Sequence, residues 1–449
     1  MSRVYTMTGH PEEVIAHAFA KTSRSAGSFD DMIMTLTQQS SDAFHSKWVL
    51  EYGHNSVAEH AMLHLAIEGV SRLAVEALES GRLASYTEQS TRYQTKTEDD
   101  VFISETWDPM FVHDYKIVVK KLFNLYDAIN VAAKNDGKLL GFAGYDLSRF
   151  VLPLATKVNL GMTINARALR RTLCKMLANE LPEVSGLAQQ IQEVALQVTP
   201  SLLRHVKACA TTQRLQSLGK HLNIIEHHNL NQDESISVVC KKFQVDADDI
   251  VKDIAYEYST LPWGQSKWTD NPLESFFVQL GEHDTLPRAL ENGLISFEIT
   301  SDYGSFYDMK RHRLVSLLSQ KKSLGECGYI IPAPEILEKT GLLNQYIETM
   351  EMVAAYRHQW IHIPENIYML PNAFRIRYKM DMNPRELIEI IKLRGINKNA
   401  HTSYRAIGLK MLDIASNKCP LLFEWLYKKI PDNVSAEQIL RTYKLRSAE

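Results

Sequence analysis

The sequence predicts a mixed α/β protein built from two tandem copies of one domain. Three short motifs occur twice in the same order. Residues 82–85 read Arg-Leu-Ala-Ser and residues 313–316 read Arg-Leu-Val-Ser, and each is followed by a Leu-Pro and then by an Asn-x-Arg. In both copies the asparagine is the twelfth residue after the proline. Motifs that recur in order at the same spacing indicate an internal duplication.

The periodicity of apolar residues supplies the α/β part of this prediction. Residues 58–79, 385–393 and 404–415 have the three- and four-residue spacing of an amphipathic helix. Residues 155–164 and 374–382 have the pattern of strands, and each ends at an Asn-x-Arg whose asparagine can cap a following helix. We therefore expect a first repeat at 1–220, a joining region at 221–267 and a second repeat at 268–449.

Composition excludes several classes of protein. The chain has 449 residues, of which 45% are hydrophobic, so it can bury two domain-sized cores. Its net charge of −3 gives no general basic surface, and we expect no nucleic-acid partner. We also expect no membrane partner and a cytoplasmic location, because no run of about 18 apolar residues and no leader-like start occurs. Five scattered cysteines without Cys-x-x-Cys spacing give no support for a zinc site or disulfides.

Two segments of the first copy contain side chains that could bind a ligand. Residues 53–60 read Gly-His-Asn-Ser-Val-Ala-Glu-His and lead into the predicted helix at 58–79. After that helix, residues 81–93 are dense in hydroxyl groups and include two arginines. Arginine matches the geometry of phosphate and serine can complete the shell, so this loop suits an anionic ligand. A solvated turn with surface ion pairs explains this copy alone equally well.

Together these segments resemble the flavin-dependent thymidylate synthase family. The resemblance consists of Gly-His-x-Ser-x-x-Glu-His, a helix, and Arg-x-x-Ser-x-x-Glu-x-Ser-x-Arg-Tyr. The family signature is Arg-His-Arg-x-x-Ser followed by Ser-x-Arg. The first copy has Ser80-Gly81-Arg82 in place of Arg-His-Arg, whereas the second has Arg311-His312-Arg313 but Lys321-Lys322-Ser323 in place of Ser-x-Arg. Neither copy holds the complete motif.

The same division recurs downstream. The family has an arginine four residues before the proline of Leu-Pro, and this chain has Arg149 in the first copy but Ile367 in the second. The family has another arginine eleven residues after the asparagine of Asn-x-Arg, and here the second copy has Arg394 whereas the first has Met176. Because the losses are complementary, we predict one composite site that is shared by the two repeats.

The resemblance implies a sheet flanked by long helices and a methyl transfer to C5 of dUMP. Methylenetetrahydrofolate would give the carbon, and NADPH would reduce FAD, which does the redox work. The family is tetrameric with sites built across subunits, so this chain would be a homodimer that imitates a tetramer. The partner would be a pyrimidine nucleotide monophosphate.

The resemblance also implies roles for individual residues. Arg311, His312 and Arg313 would be catalytic, with the two arginines polarising the uracil, a role in which a buried guanidinium is effective. The nucleotide-binding residues would be Glu88, Ser90, Arg92, Arg149, Arg311 and Arg394. The flavin-binding residues would be Ser23, His54, Ser56, Glu59, Arg311, His312, Arg313, Asn383 and Arg385. Asn165 and Arg167 are alternatives to the last two.

Some residues depart from the family pattern and keep other functions open. Asp308 lies where the family commonly has glutamine or glutamate, Thr87 replaces a frequent asparagine or serine, and Glu389 lies where an amide can contact the flavin. Extra carboxylates beside a phosphate are costly unless they are paired. A different pyrimidine nucleotide could be the substrate, or the chain could be an inactive nucleotide- or flavin-binding homologue.

A metal site is a weaker alternative. His60 and His64 lie four residues apart on the predicted helix, but the pair lacks the glutamate of His-Glu-x-x-His. Core or ring-facing positions explain these histidines better.

Overall fold

The computed structural model describes residues 3–135, 142–219, 222, 235–258, 272–281, 284–320, 326–431 and 434–446. The α-helices are α1 (Glu12–Thr22), α2 (Phe29–Met34), α3 (Gln38–Phe44), α4 (Arg72–Glu79), α5 (Pro109–Asn135), α6 (Phe142–Ser148), α7 (Ala166–Met176), α8 (Pro182–Val198), α9 (Ala210–Gly219), α10 (Ala247–Tyr258), α11 (Pro272–Gln279), α12 (Tyr303–Met309), α13 (Pro334–Lys339), α14 (Leu343–Gln359), α15 (Pro384–Ile390), α16 (Thr402–Lys418), α17 (Pro420–Phe423) and α18 (Ala436–Leu440). The strands are β1 (Met62–Ser71), β2 (Ala84–Glu88), β3 (Lys157–Asn165), β4 (Ser237–Gln244), β5 (Leu294–Asp302), β6 (Ser316–Gln320), β7 (Tyr329–Pro332), β8 (Arg375–Met382) and β9 (Tyr443–Arg446).

The chain forms two compact units that do not follow the order of the sequence. The first unit takes its described residues from 1–112, 154–226 and 362–368. The second unit takes its own from 113–153, 227–361 and 369–449. The described residues of 113–153, in the predicted first repeat, thus pack in the second unit, and residues 362–368 of the predicted second repeat pack in the first. The repeat boundaries near residues 220 and 268 stay a prediction.

The first unit contains a three-stranded antiparallel sheet with the order β1-β3-β2. The central strand β3 alternates buried and exposed residues, so one of its faces packs on the core. Asn165 ends β3 and begins α7, because its side-chain oxygen accepts a hydrogen bond from the backbone N–H of Ala168 at 2.8 Å.

The second unit repeats this arrangement and adds one strand. Its four-stranded antiparallel sheet has the order β4-β5-β8-β6, so β8 lies between β5 and β6 as β3 lies between β1 and β2. Asn383 ends β8 and caps α15, accepting from the backbone N–H of Glu386 at 2.9 Å. The mixed α/β class, the strands predicted at 155–164 and 374–382 and both asparagine caps are confirmed.

One predicted helix is wrong in its first half. Residues 58–79 do not form one helix, since β1 occupies Met62–Ser71 and only Arg72–Glu79 is helical. The buried residues of the strand include Leu63 and Ile67, whose spacing of four fits a helix and a strand equally well. Ser71 then accepts a hydrogen bond from the backbone N–H of Ala74 at 3.1 Å and starts α4. His64 lies in β1 and His60 lies before that strand, so the two histidines do not share a helix face.

The other two predicted helices are confirmed. Residues 385–393 fall in α15 and the π-helical turn Ile391–Ile396 that continues it, and residues 404–415 fall in α16. Residues 227–229, in the predicted joining region, and Lys321, Lys322 and Ser323 lie outside the described residues. Within the described part of the chain, no helix has the length and apolar character needed to span a bilayer.

Candidate functional site

The first unit contains a cavity of about 530 Å³ beside the Gly-His-x-Ser segment. Three predicted flavin-binding residues line it, namely Ser23, His54 and Ser56. The exposed side chain of Ser23 donates to the backbone oxygen of Ala20 at 3.0 Å, so its hydroxyl proton is already engaged. The cavity is large enough for a substantial part of a planar cofactor.

Aromatic rings and basic side chains form much of the wall of this cavity. His17 stacks on Phe44 with 4.0 Å between ring centroids, and the guanidinium of Arg24 lies 4.9 Å from the ring centroid of Trp48. Burial, followed by the positive charges of His45 and Lys21, lowers the pKa of His17 to about 4. A neutral imidazole among rings, with cations nearby, suits a ligand that is planar at one end and anionic elsewhere.

Glu59, a predicted flavin-binding residue, is paired with a basic side chain. It forms an ion pair with Arg167, the arginine of the first Asn-x-Arg. The second copy has the same pair, because Arg385 Nη1 donates to Glu291 Oε1 at 2.6 Å. Glu59 lies three residues before β1, which begins at Met62, and Glu291 lies three residues before β5, which begins at Leu294. The two Asn-x-Arg motifs are held alike, so the choice between them for a flavin stays open.

In the second unit, Asp308 joins arginines from the two repeats. Arg149 Nη2 lies 3.3 Å from Asp308 Oδ2, and Arg311 Nε lies 3.7 Å from Asp308 Oδ1. Arg149 is only 5% exposed and also donates to the backbone oxygen of Gly304 at 3.2 Å. A β-carbon on Gly304 would lie 3.1 Å from Arg149 Nη2, so glycine lets the guanidinium lie against α12.

Two more predicted residues, His312 and Arg394, form a pair, and His312 follows Arg311 directly in the chain. Arg394 Nε donates to His312 Nε2 at 3.1 Å, and the Arg394 guanidinium lies 5.3 Å from the ring centroid of Tyr404. Burial, and then the positive charge of Arg394, lower the pKa of His312 to about 3, while Asp308 acts in the opposite direction. His312 is therefore a neutral acceptor at Nε2, which places its proton on Nδ1.

Two glycines set the position of Arg394. Gly395 follows it in the π-helical turn, and Gly408 lies on α16. A β-carbon on Gly408 would lie 2.6 Å from the backbone nitrogen of Gly395, so the two backbones meet without room for a side chain. Arg394 is thereby held above the start of α16, near Tyr404.

The expectation of buried arginines in the Arg-His-Arg motif is wrong for the single chain. Arg311 and Arg313 are both exposed, and the side chain of Arg311 is 48% exposed. The motif follows the end of α12 and precedes β6, where the chain turns at the protein surface. His312, between them, is half-buried.

A buried polar network under Arg149 escaped the sequence analysis. Ser305 Oγ donates to Asp302 Oδ2 and lies 2.6 Å from Ser403 Oγ, which in turn lies 2.8 Å from His401 Nδ1. Burial raises the pKa of Asp302 to about 6 and lowers that of His401 to about 4. The Asp-x-x-Ser spacing of a helix cap at 302–305 is the one sequence signal for it.

The remaining predicted nucleotide-binding residues lie in the first unit. Glu88 ends β2, and Ser90 and Arg92 follow it in a turn where the Arg92 backbone N–H donates to Ser90 Oγ at 3.2 Å. All three are half-buried. Arg149, Arg311 and Arg394 lie in the second unit. Arg149, from the first copy, is thus grouped with the arginines that the second copy retains.

The sequence model of the family described as thymidylate synthase complementing protein matches residues 3–201 and 249–421. The chain belongs to this family. The first matched range contains the motifs of the first predicted copy, and the second matched range contains those of the second copy.

Within the thymidylate synthase complementing family, the chain is similar to relatives of two kinds. A UPF0159 protein of Chlamydia muridarum is 26% identical over an alignment 479 residues long, gaps included. The alignment covers 91% of this chain and 89% of that protein. A flavin-dependent thymidylate synthase of Sulfurisphaera tokodaii is 33% identical over 205 residues, which cover 45% of this chain and 75% of the relative.

Solved structures of the family are also similar to part of the chain. A flavin-dependent thymidylate synthase from Helicobacter pylori, in complex with FAD and dUMP, is 20% identical and has a TM-score of 0.32. The match covers 44% of this chain and 96% of that one.

Proposed function

We propose that this chain is a flavin-dependent enzyme that methylates C5 of a pyrimidine nucleoside monophosphate, with dUMP to dTMP as the default reaction. The observation that supports it most is the grouping of Arg149 with Arg311 through Asp308. Each repeat lacks an arginine that the other retains, and the fold gathers retained arginines from both into one unit. The Sulfurisphaera tokodaii relative, which is named flavin-dependent thymidylate synthase, supports the same reaction class.

The cavity of the first unit fits a flavin. Its aromatic walls suit the ring system, and Lys21 and Arg24 suit the negative charge of a dinucleotide. Ser23, His54 and Ser56 would hold FAD, as the motifs imply. When bound, FAD supplies the redox step between NADPH and the carbon carried by methylenetetrahydrofolate.

The arginine cluster would bind and polarise the nucleotide. Arg311 and Arg313 present guanidinium groups that can stabilise negative charge as it develops on the uracil. His312 accepts a hydrogen bond from Arg394 and so orients that guanidinium. Glu88, Ser90 and Arg92 would complete the site in a homodimer, which we propose as the working assembly.

Binding and turnover test this proposal. Purified protein should take up FAD, dUMP should perturb the flavin absorbance, and dTMP should form with methylenetetrahydrofolate and NADPH. Arg311→Gln and Arg394→Gln should each weaken dUMP binding about tenfold or more, since each removes a charged hydrogen-bond donor.

Arg446→Gln is the matched control. Arg446 is as exposed as Arg311, at 47% against 48%, and it likewise pairs with a carboxylate of the same unit, Glu351, at 3.1 Å. This variant should bind dUMP as the wild type does. A protein that takes up no FAD would contradict the proposal. Uptake of FAD without dTMP formation would favour the inactive homologue or a different pyrimidine nucleotide.

A further inference from the structure

Asp308 occupies an unusual place for a carboxylate. It lies near the end of α12, is 9% exposed, and directs one oxygen toward each of two arginines. Its Oδ2 lies 3.3 Å from Arg149 Nη2, and its Oδ1 lies 3.7 Å from Arg311 Nε. A single side chain of the protein thus interacts with two guanidinium groups that the nucleotide site would use.

The surroundings of Arg149 show how firmly this pair is held. The same nitrogen, Nη2, donates to the backbone oxygen of Gly304 at 3.2 Å, and the side chain of Arg149 is 6% exposed. With little water to screen them, charges at this position interact more strongly than they would at the surface. A phosphate approaching these arginines would meet the negative charge of Asp308 as well as their positive charges.

We propose that Asp308 is a specificity-determining residue that reduces the contribution of the ligand's phosphate to binding. This inference rests on the proposed function, in which Arg149 and Arg311 take part in nucleotide binding. The site recognises its pyrimidine nucleotide mainly through base and sugar. It therefore discriminates less between a nucleoside monophosphate and the corresponding nucleoside than the same site without the carboxylate.

Calorimetric titration of the FAD-loaded protein with dUMP and, separately, with deoxyuridine tests this. Asp308→Asn keeps the size of the side chain and removes its charge. The variant should bind dUMP about tenfold more tightly than the wild type, because the repulsion of the phosphate is gone. Its affinity for deoxyuridine should change by less than about twofold, since the nucleoside carries no charge.

Two further variants separate charge from structure. Asp308→Glu restores the carboxylate and should return the ratio of the two affinities toward that of the wild type. Glu326→Gln is the matched control, because Glu326 Oε1 pairs with the buried Arg357 of the same unit at 3.5 Å. It should leave both affinities unchanged. If Asp308→Asn does not fold, Asp308→Gln removes the same charge.

The outcomes distinguish this inference from the proposed function. Equal changes for dUMP and deoxyuridine, or weaker binding of dUMP by the neutral variants, would overturn the role of Asp308 while leaving a nucleotide-binding flavoenzyme in place. Failure of the wild type and all variants to bind either ligand would overturn both. Tighter binding of dUMP alone, reversed by Asp308→Glu, would support the inference.

Discussion

His312 shows how one residue of the motif depends on its neighbour. Its Nε2 accepts from Arg394 Nε, and burial together with the charge of that arginine lowers its pKa to about 3. An imidazole in this state cannot act as a cation at neutral pH. It accepts a hydrogen bond from the guanidinium of Arg394, so in the proposed site it would orient that group rather than supply charge.

The protonation state of His312 can be observed directly. In ¹⁵N-histidine spectra, we expect a neutral ring with its proton on Nδ1 down to pH 5, because the folded-state pKa lies well below the ordinary value of 6.5. In Arg394→Gln the pKa of His312 should rise, since the charge that lowers it is removed. A signal that titrates near pH 6.5 in the wild type would contradict this assignment.

The sequence predicts some of the individual site residues but not the contacts between them. Arg149 and Arg394 were identified by their spacing from Leu-Pro and Asn-x-Arg, and the structure places both in the second unit. The partnership of Asp308 with Arg149 could not be predicted, because it joins residues 159 positions apart through tertiary packing. The network of Asp302 and His401 was missed for the same reason.

At the scale of elements, the crossing of α16 with the preceding π-helical turn determines where Arg394 lies. Gly395 and Gly408 let the two backbones approach so closely that a β-carbon on Gly408 would lie 2.6 Å from the Gly395 nitrogen. Backbone atoms cannot rotate away as a side-chain end can. Any larger residue at Gly408 must therefore push the turn that carries Arg394.

Gly408→Ala should lower the free energy of unfolding by about 1–3 kcal/mol, the usual cost of overpacking. It should also weaken dUMP binding by displacing Arg394. Gly186→Ala is the control, because Gly186 lies in α8, which has the same length as α16, and its β-carbon would meet nothing within 4 Å. That change should stabilise the protein by about 0.5–1 kcal/mol. Urea unfolding measures both, and equal effects would contradict this account.

Elements were predicted best where two signals agreed. The strands β3 and β8 combine an apolar pattern with a capping asparagine at their end, and both were found. The segment 58–79 had periodicity alone, and a four-residue spacing such as Leu63 to Ile67 also keeps residues on one face of a strand. Residues 62–71 form a strand because they pair with β3 in the sheet. The sequence of one segment alone does not show which other segment it pairs with.

At the scale of the whole molecule, the two copies differ at the positions that are proposed to bind a flavin. The segment before β1 carries His54 and Ser56. Counting back from Glu291, which pairs with Arg385 as Glu59 pairs with Arg167, the second copy has Leu286 and Arg288 at these positions. The copies thus share a fold, whereas the residues at the proposed flavin-binding positions differ between them.

We therefore expect one FAD per chain. The absorbance of released flavin, divided by the protein concentration, measures this ratio. Ser56→Ala should lower the occupancy, because Ser56 lines the cavity of the first unit. Arg288→Ala is the matched change in the second copy and should leave it unaltered, since that side chain is 80% exposed. Two flavins per chain would contradict the expectation.

Because residues from 113–153 pack in the second unit, the two halves of the gene depend on each other. A gene for either half of the chain alone would encode an incomplete unit. The second unit would lack its part of α5 and the segment with Arg149, and the first unit would lack residues 362–368. Deleting either half of the gene would therefore remove residues that pack in the unit encoded mostly by the other half. A single reading frame then ensures that both halves are always made in equal number.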